Sequence, residues 1–163
     1  MAEALLRRRL EARGIKARVR SAGLLPGGAP ATEYAIETMA AEGLDISGHV
    51  SRQVSVQLLA KSNLIVTMTR QQLIELTLMV PEGWPRMFQI RDLVRRCEQL
   101  GPWPPDASFA DWLEAVGDGR SRSSLLSSPL SDDVADPIGQ PAAVYERTKV
   151  ELDDLVTRLA ALV

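Results

Sequence analysis

The run Asn63-Leu64-Ile65-Val66-Thr67 constrains the fold more than any other stretch of the chain. It is apolar and β-branched, without the in-out alternation of a half-solvated strand. Such a strand needs cover on both faces, which is the environment of a parallel sheet between helices. The flanking patterns agree. A helix is predicted over 70–79, Arg86 to Ile90 (RMFQI) reads as a further strand, and Arg91 to Leu100 as the next helix. Upstream, Ile15 to Leu24 alternates apolar and basic residues and then meets Pro26-Gly27-Gly28, the pattern of a strand followed by a loop. The next helix is expected from Ala31-Thr32 to a stop at Gly43, with Tyr34, Ala35, Met39 and Ala40 as its buried stripe. Residues 44–56 are polar and irregular, and Val56 to Ala60 forms a short helix. Strands that alternate with helices give an α/β layered fold.

The two ends are helical. Met1 to Ala12 places Ala2, Leu5, Leu6 and Leu10 on one face and stops at Arg13-Gly14, with no Ser, Thr, Asp or Asn before it to cap its free N–H groups. Pro141 opens the last helix, where Tyr145, Thr148, Leu152, Leu155, Leu159 and Leu162 recur at three-and-four spacing. Between the halves, residues 101–132 are the least regular: Gly101-Pro102-Trp103-Pro104-Pro105, a helical piece at Phe109 to Val116, then a Ser-rich loop. We expect them to be a surface excursion from a single domain spanning 1–163.

Composition narrows the function. With 163 residues, 45% of them hydrophobic, the chain can bury roughly 70% of its unfolded surface and needs no covalent or metal staple. One cysteine, Cys97, and one histidine, His49, supply neither a disulfide framework nor a four-ligand zinc site, so no metal or cofactor is expected. The net charge of −2 argues against a nucleic-acid partner. Residues 1–20 carry a local balance of +5, but acids are mixed in and no cleavage pattern follows, so this reads as a solvated helix face rather than a targeting signal. No apolar run approaches the ~20 residues of a membrane span, and a cytoplasmic protein with no membrane partner is expected.

Chemistry concentrates in Ser131-Asp132-Asp133-Val134-Ala135-Asp136-Pro137-Ile138-Gly139-Gln140-Pro141, three carboxylates and two prolines in a loop before a helix. The proline ring holds Asp136 extended and aims its carboxyl group consistently, as a general acid requires; a plain turn-forming role is the other reading. Five stretches in order, MAEALLRRRL, Ser21-Ala22-Gly23, Gly43-Leu44-Asp45-Ile46-Ser47-Gly48-His49-Val50-Ser51-Arg52-Gln53, LIVTMT and Asp133-Val134-Ala135-Asp136-Pro137, resemble the low-molecular-weight protein tyrosine phosphatases. The resemblance spans about residues 1–100 and 131–163. It implies a three-layer αβα fold with a parallel sheet, and hydrolysis of phosphotyrosine through a cysteinyl-phosphate without a metal.

In that family a Cys-x5-Arg-Ser-Pro loop cradles the phosphate at a helix N-terminus and keeps the cysteine as thiolate. This sequence begins at the Met that follows the family's Ser-Pro. The expectation is therefore that the first, central strand, the nucleophilic Cys and the phosphate-binding Arg lie upstream of it, and that the chain as given is inactive. Cys97 sits among Arg95, Arg96 and Glu98 on a helix, with no Gly-rich loop to bind phosphate and no arginine at the family spacing, and reads as an ordinary thiol. What the resemblance leaves is Asp136 as general acid, Ser21 as a support of the phosphate loop, and His49 with Arg52 in a polar segment near it. Ile138-Gly139 stand where the family often has aromatic residues lining the phosphotyrosine slot, which loosens the expected specificity toward small phosphomonoesters as well as phosphotyrosine proteins. The alternative reading is a non-catalytic module whose sheet gap accepts a protein partner's strand. The arsenate reductase branch of the fold wants resolving cysteines that are absent here.

Overall fold

A computed structural model describes residues 1–127 and 130–163, so Ser128 and Pro129 of the Ser-rich loop lie outside the described residues. The described residues group into two compact units, Met1–Val54 with Ala135–Ala160, and Ser55–Val134 with Ala161–Val163.

The second unit holds the sheet. Strand β1 (Ile65–Thr67) pairs in parallel with β2 (Met87–Gln89) in the register Ile65 with Met87, Val66 with Phe88 and Thr67 with Gln89. Both strands are shorter than the sequence suggests. The chain leaves β2 directly into a helix at Ile90, and Thr69 caps the helix after β1. Its Oγ1 accepts from the Gln72 N–H at 3.2 Å while Gln72 Oε1 accepts from the Thr69 N–H at 3.3 Å, a reciprocal capping box. In chain order this unit contains α3 (Val56–Ala60), α4 (Arg70–Met79), α5 (Ile90–Leu100) and α6 (Phe109–Val116). The α5 stripe Ile90, Leu93, Val94, Cys97 is buried at helical spacing, and β2 is buried along its whole length.

Residues 101–132 are exposed at most of their described positions, but part of the segment reaches the core. Trp112, Leu113 and Val116 of α6 are buried, as is Leu125, and the rings of Trp103, Phe109 and Trp112 pack in series at centroid distances of 5.2 and 5.7 Å. The Arg120 guanidinium lies 4.1 Å from the Trp84 ring centre and 3.8 Å from that of Phe88, and its Nη2 donates to the Met87 carbonyl at 2.5 Å. Burial draws its pKa down to about 10. A charge that the sequence displays as solvent-seeking is instead held between aromatic faces.

The first unit contains α1 (Ala2–Ala12), α2 (Glu33–Ala40) and most of α7 (Ala142–Leu162). Helix α1 has no side-chain cap, as expected; the Met1 carbonyl accepts from the N–H groups of Ala4 and Leu5. Leu5, Leu10, Met39, Tyr145, Leu152, Val156 and Leu159 are buried. On α2 the buried pair is Thr38 and Met39, whereas Tyr34 and Ala40 are exposed. This helix has only two turns, and Tyr34 meets the ring edge of Tyr145 at its rim. Partly exposed ion pairs and a hydrogen bond link α1, α7 and the turn after α2: Arg9 binds both carboxylate oxygens of Asp153, Lys149 Nζ reaches Glu42 Oε1 at 2.7 Å, and Arg8 Nη1 donates to the Glu42 backbone carbonyl at 2.8 Å.

The expected strand Ile15–Leu24 does not form. Residues 15–22 run without turn or bend, and among the described residues the segment bridges a partner backbone only at Gly23, in parallel with Gln53. Its alternating pattern is present, with Ile15 and Val19 half-buried and Lys16, Arg18 and Arg20 exposed. A ladder also requires a neighbour, and alternation alone cannot supply one.

Candidate active site

The carboxylate loop is fixed at the C-terminal ends of both strands, the end of a parallel sheet where α/β proteins place ligands. The Val134 N–H donates to the carbonyl of Met68, the residue after β1, at 2.9 Å. Asp133 Oδ1 accepts from the Arg70 N–H at 2.7 Å, at the first residue of α4, and from Gln89 Nε2 at 2.8 Å. The carboxylate thereby sits on a helix N-terminus and also satisfies a Gln that is 2% exposed at the end of β2. Asp132, itself buried, accepts from Arg95 Nη1 and Nη2 at 3.1 and 3.0 Å, a bidentate pair. The Asp132 carboxylate holds the Arg95 pKa above its ordinary value, against the opposing effect of burial.

From that anchor the chain continues into the first unit. Asp136 is exposed, and its Oδ1 accepts from the Ile138 N–H at 3.0 Å, closing an Asx turn over Pro137. The Gln140 N–H then returns to the Pro137 carbonyl at 2.9 Å, and this turn places Gly139 at φ +73°, a conformation that glycine tolerates best. Among the described residues no hydrogen bond links Asp136 to Ser21, His49 or Arg52. Its carboxylate is locally oriented and otherwise open to solvent.

Ser21 is engaged elsewhere. Its N–H and Oγ both donate to Glu3 Oε2, at 2.8 and 2.5 Å, and Arg7 binds the other oxygen of the same carboxylate. Burial alone would push the Glu3 pKa up, but the Ser21 and Arg7 bonds outweigh it and hold the group below its ordinary value. The pair ties residue 21 to the first turn of α1. His49 and Arg52 are exposed and fix the loop through backbone bonds, His49 N–H to the Ile46 carbonyl and the Arg52 carbonyl to the Gly23 N–H. The Arg52 bond brings the Ser21-Ala22-Gly23 stretch beside the 50–53 stretch.

Cys97 is fully buried, and burial, with Glu98 and Asp92 nearby, pushes its thiol up to about 12. A thiol so disposed supplies no thiolate nucleophile at neutral pH. No group of three or more His, Cys, Asp or Glu side chains is arranged to hold a metal among the described residues. Sequence reasoning missed Asp133, Gln89 and Arg95 as the anchors of the loop. The only available signal was a pair of adjacent carboxylates preceding Asp136.

The family model for low molecular weight phosphotyrosine protein phosphatases matches residues 1–102. The chain belongs to that family. No curated protein matches it at a significant level, but solved phosphatase structures do. A low molecular weight protein tyrosine phosphatase from T. tengcongensis is 26% identical, with a TM-score of 0.74, covering 99% of this chain and 88% of its own. The YwlE arginine phosphatase of Geobacillus stearothermophilus is 23% identical, with a TM-score of 0.68 over 98% of this chain and 80% of its own. Wzb of Vibrio vulnificus, solved with benzylphosphonate, is 20% identical, with a TM-score of 0.68 over 99% and 88%. The low molecular weight phosphatase fold is α/β with a parallel sheet, and the β1-α4-β2 unit conforms to it. Asp136 lies beyond the residues that the family model matches. No described helix is long and apolar enough to cross a membrane.

Proposed function

We propose that this chain serves phosphomonoester hydrolysis on phosphotyrosine proteins or small phosphomonoesters, with Asp136 as the general acid. We read residues 1–163 as one phosphatase-like domain. The observation that carries the reading is the contrast within one loop. Asp132 to Val134 are hydrogen-bonded at the strand ends, and Asp136, on the same backbone, presents a carboxyl group engaged only by the Ile138 N–H among the described residues. In the family chemistry, a thiolate attacks phosphorus and the bond to the leaving oxygen breaks. The acid gives that oxygen its proton and then, as carboxylate, takes a proton from the water that releases phosphate. Proline at 137 and the turn at Ile138 supply the fixed aim that such a transfer needs.

Residues 1–163 do not contain the other half of the pair. Their one cysteine is buried with a raised pKa, and Trp103 stands six residues beyond it where the motif requires Arg. Residues 1–163 by themselves should therefore not hydrolyse p-nitrophenyl phosphate above buffer. A clear turnover abolished by Cys97→Ala would contradict this division of labour. Ile138, 65% exposed beside Asp136, offers an aliphatic rather than aromatic wall, which supports tolerance of leaving groups other than tyrosine.

A further inference from the structure

We propose that Lys16, Arg18 and Arg20 form a docking strip for an extended acidic segment of a protein partner, which on the phosphatase reading is the flank of a phosphoprotein substrate. The three cations occupy alternate positions in a stretch that runs without turn or bend from Ile15 to Ala22. Their side chains are exposed, while Ile15 and Val19, on the opposite side of the same stretch, are half-buried. The stretch is held at both ends: the Ile15 N–H donates to the Leu10 carbonyl at 2.9 Å, and Ser21 is bonded to Glu3. The strip is thus a fixed row, not a loose tail.

Most other cations of this unit's helices are already paired. Arg7 is bound to Glu3, Arg8 and Arg9 to Asp153, and Lys149 to Glu42 and Glu146. Lys16, Arg18 and Arg20 have no such carboxylate among the described residues. From Arg13 to Gly23 the chain has four cations and no acid, on a protein whose net charge is −2. An isolated positive row on a negative molecule attracts a short acidic segment and repels a long polyanion, which favours an acidic polypeptide over a nucleic acid. Spacing agrees. Alternate residues of an extended chain lie about 6.7 Å apart, so acids at every second position of an extended partner fall into register with the three cations. A lipid surface fits less well, because the apolar residues of the stretch face away from the strip.

The test uses residues 1–163 and a fluorescent eight-residue peptide of alternating Asp and Thr, with an Asn-Thr peptide as its neutral counterpart, read by anisotropy. Leaving phosphate off the peptide separates docking from catalysis, so the strip and the proposed hydrolytic activity stand or fall independently. Binding of the acidic peptide should weaken about tenfold in K16E/R18E/R20E. It should fall similarly between about 0.01 and 0.3 M salt. The variant K61E/R122E/R147E, which removes the same charge from exposed cations elsewhere, should bind nearly as the parent does. Arg18→Ala alone, a milder change, should give about a twofold loss and covers the case in which the triple variant unfolds. Equal affinity in the two triple variants, equal binding of the Asn-Thr peptide, or tighter binding of duplex DNA or anionic vesicles would each overturn the proposal.

Discussion

Asp133 and Asp136 stand three residues apart and use their carboxylates in opposite ways. Asp133 accepts from the first N–H of α4 and from a buried Gln at the end of β2, so its carboxylate is bonded to the scaffold. Among the described residues Asp136 accepts only from the Ile138 N–H, and it faces solvent. A carboxylate bonded to two structural elements holds them together, whereas one bonded only within its own turn leaves its oxygens to solvent.

Replacing Asp133 should separate the two most sharply. Asp133→Ala leaves the Gln89 amide and the Arg70 N–H without their acceptor and should lower unfolding free energy by about 3 kcal/mol in urea titration. A change below about 1 kcal/mol would mean that the loop is held by other means. Arg95→Ala comes next, because it leaves the buried Asp132 charge unpaired. Arg95 itself is half exposed, so a loss of about 1 to 2 kcal/mol is expected. Raised salt should have little effect on that difference if Asp132 is as shielded as its burial suggests.

A smaller, pH-dependent effect belongs to Glu3. Its folded pKa lies below its ordinary value of 4.5, so the unfolded state binds the proton more tightly. Its contribution is complete above about pH 4.5 and is lost as pH falls through the lower folded value. Glu3→Gln should lower stability modestly at neutral pH, converge with the parent in acid and so flatten the acid limb of the stability curve, whereas an unaltered limb would remove the Ser21–Glu3 tie from the account. Smallest of all, Asp136→Ala should shift stability by less than about 0.5 kcal/mol, because its one bond, from the Ile138 N–H, is exposed to solvent.

The sequence shows what depends on local pattern and conceals what depends on partners. The run 63–67 declares a doubly buried strand because no other environment suits it, and the helices α1, α4, α5, α6 and α7 appear within a residue or so of their expected spans. Ile15–Leu24 has strand alternation, but being a strand is a property of a pair. In 101–132 the prolines and serines obscure how deeply Trp112, Leu113 and Val116 are buried, and nothing in the spacing shows that Arg120 lies between Trp84 and Phe88. The local turn at Asp136 was legible through Pro137. Ser21 was singled out as a support for a phosphate loop, whereas its hydrogen bonds go to Glu3. Asp133 was only one acid among three, since the groups that fix it come from residues 70 and 89.

The central claim is that Asp136 protonates the leaving oxygen. The direct measurement joins a Cys-x5-Arg loop and its strand ahead of Met1 and compares parent with Asp136→Ala on phenyl phosphate and p-nitrophenyl phosphate, with vanadate binding as the control. The account predicts a loss of kcat of about a hundredfold or more on phenyl phosphate, whose leaving oxygen needs the proton. It predicts a clearly smaller loss on p-nitrophenyl phosphate and vanadate affinity close to the parent's. Equal turnover by parent and variant on both substrates would contradict it.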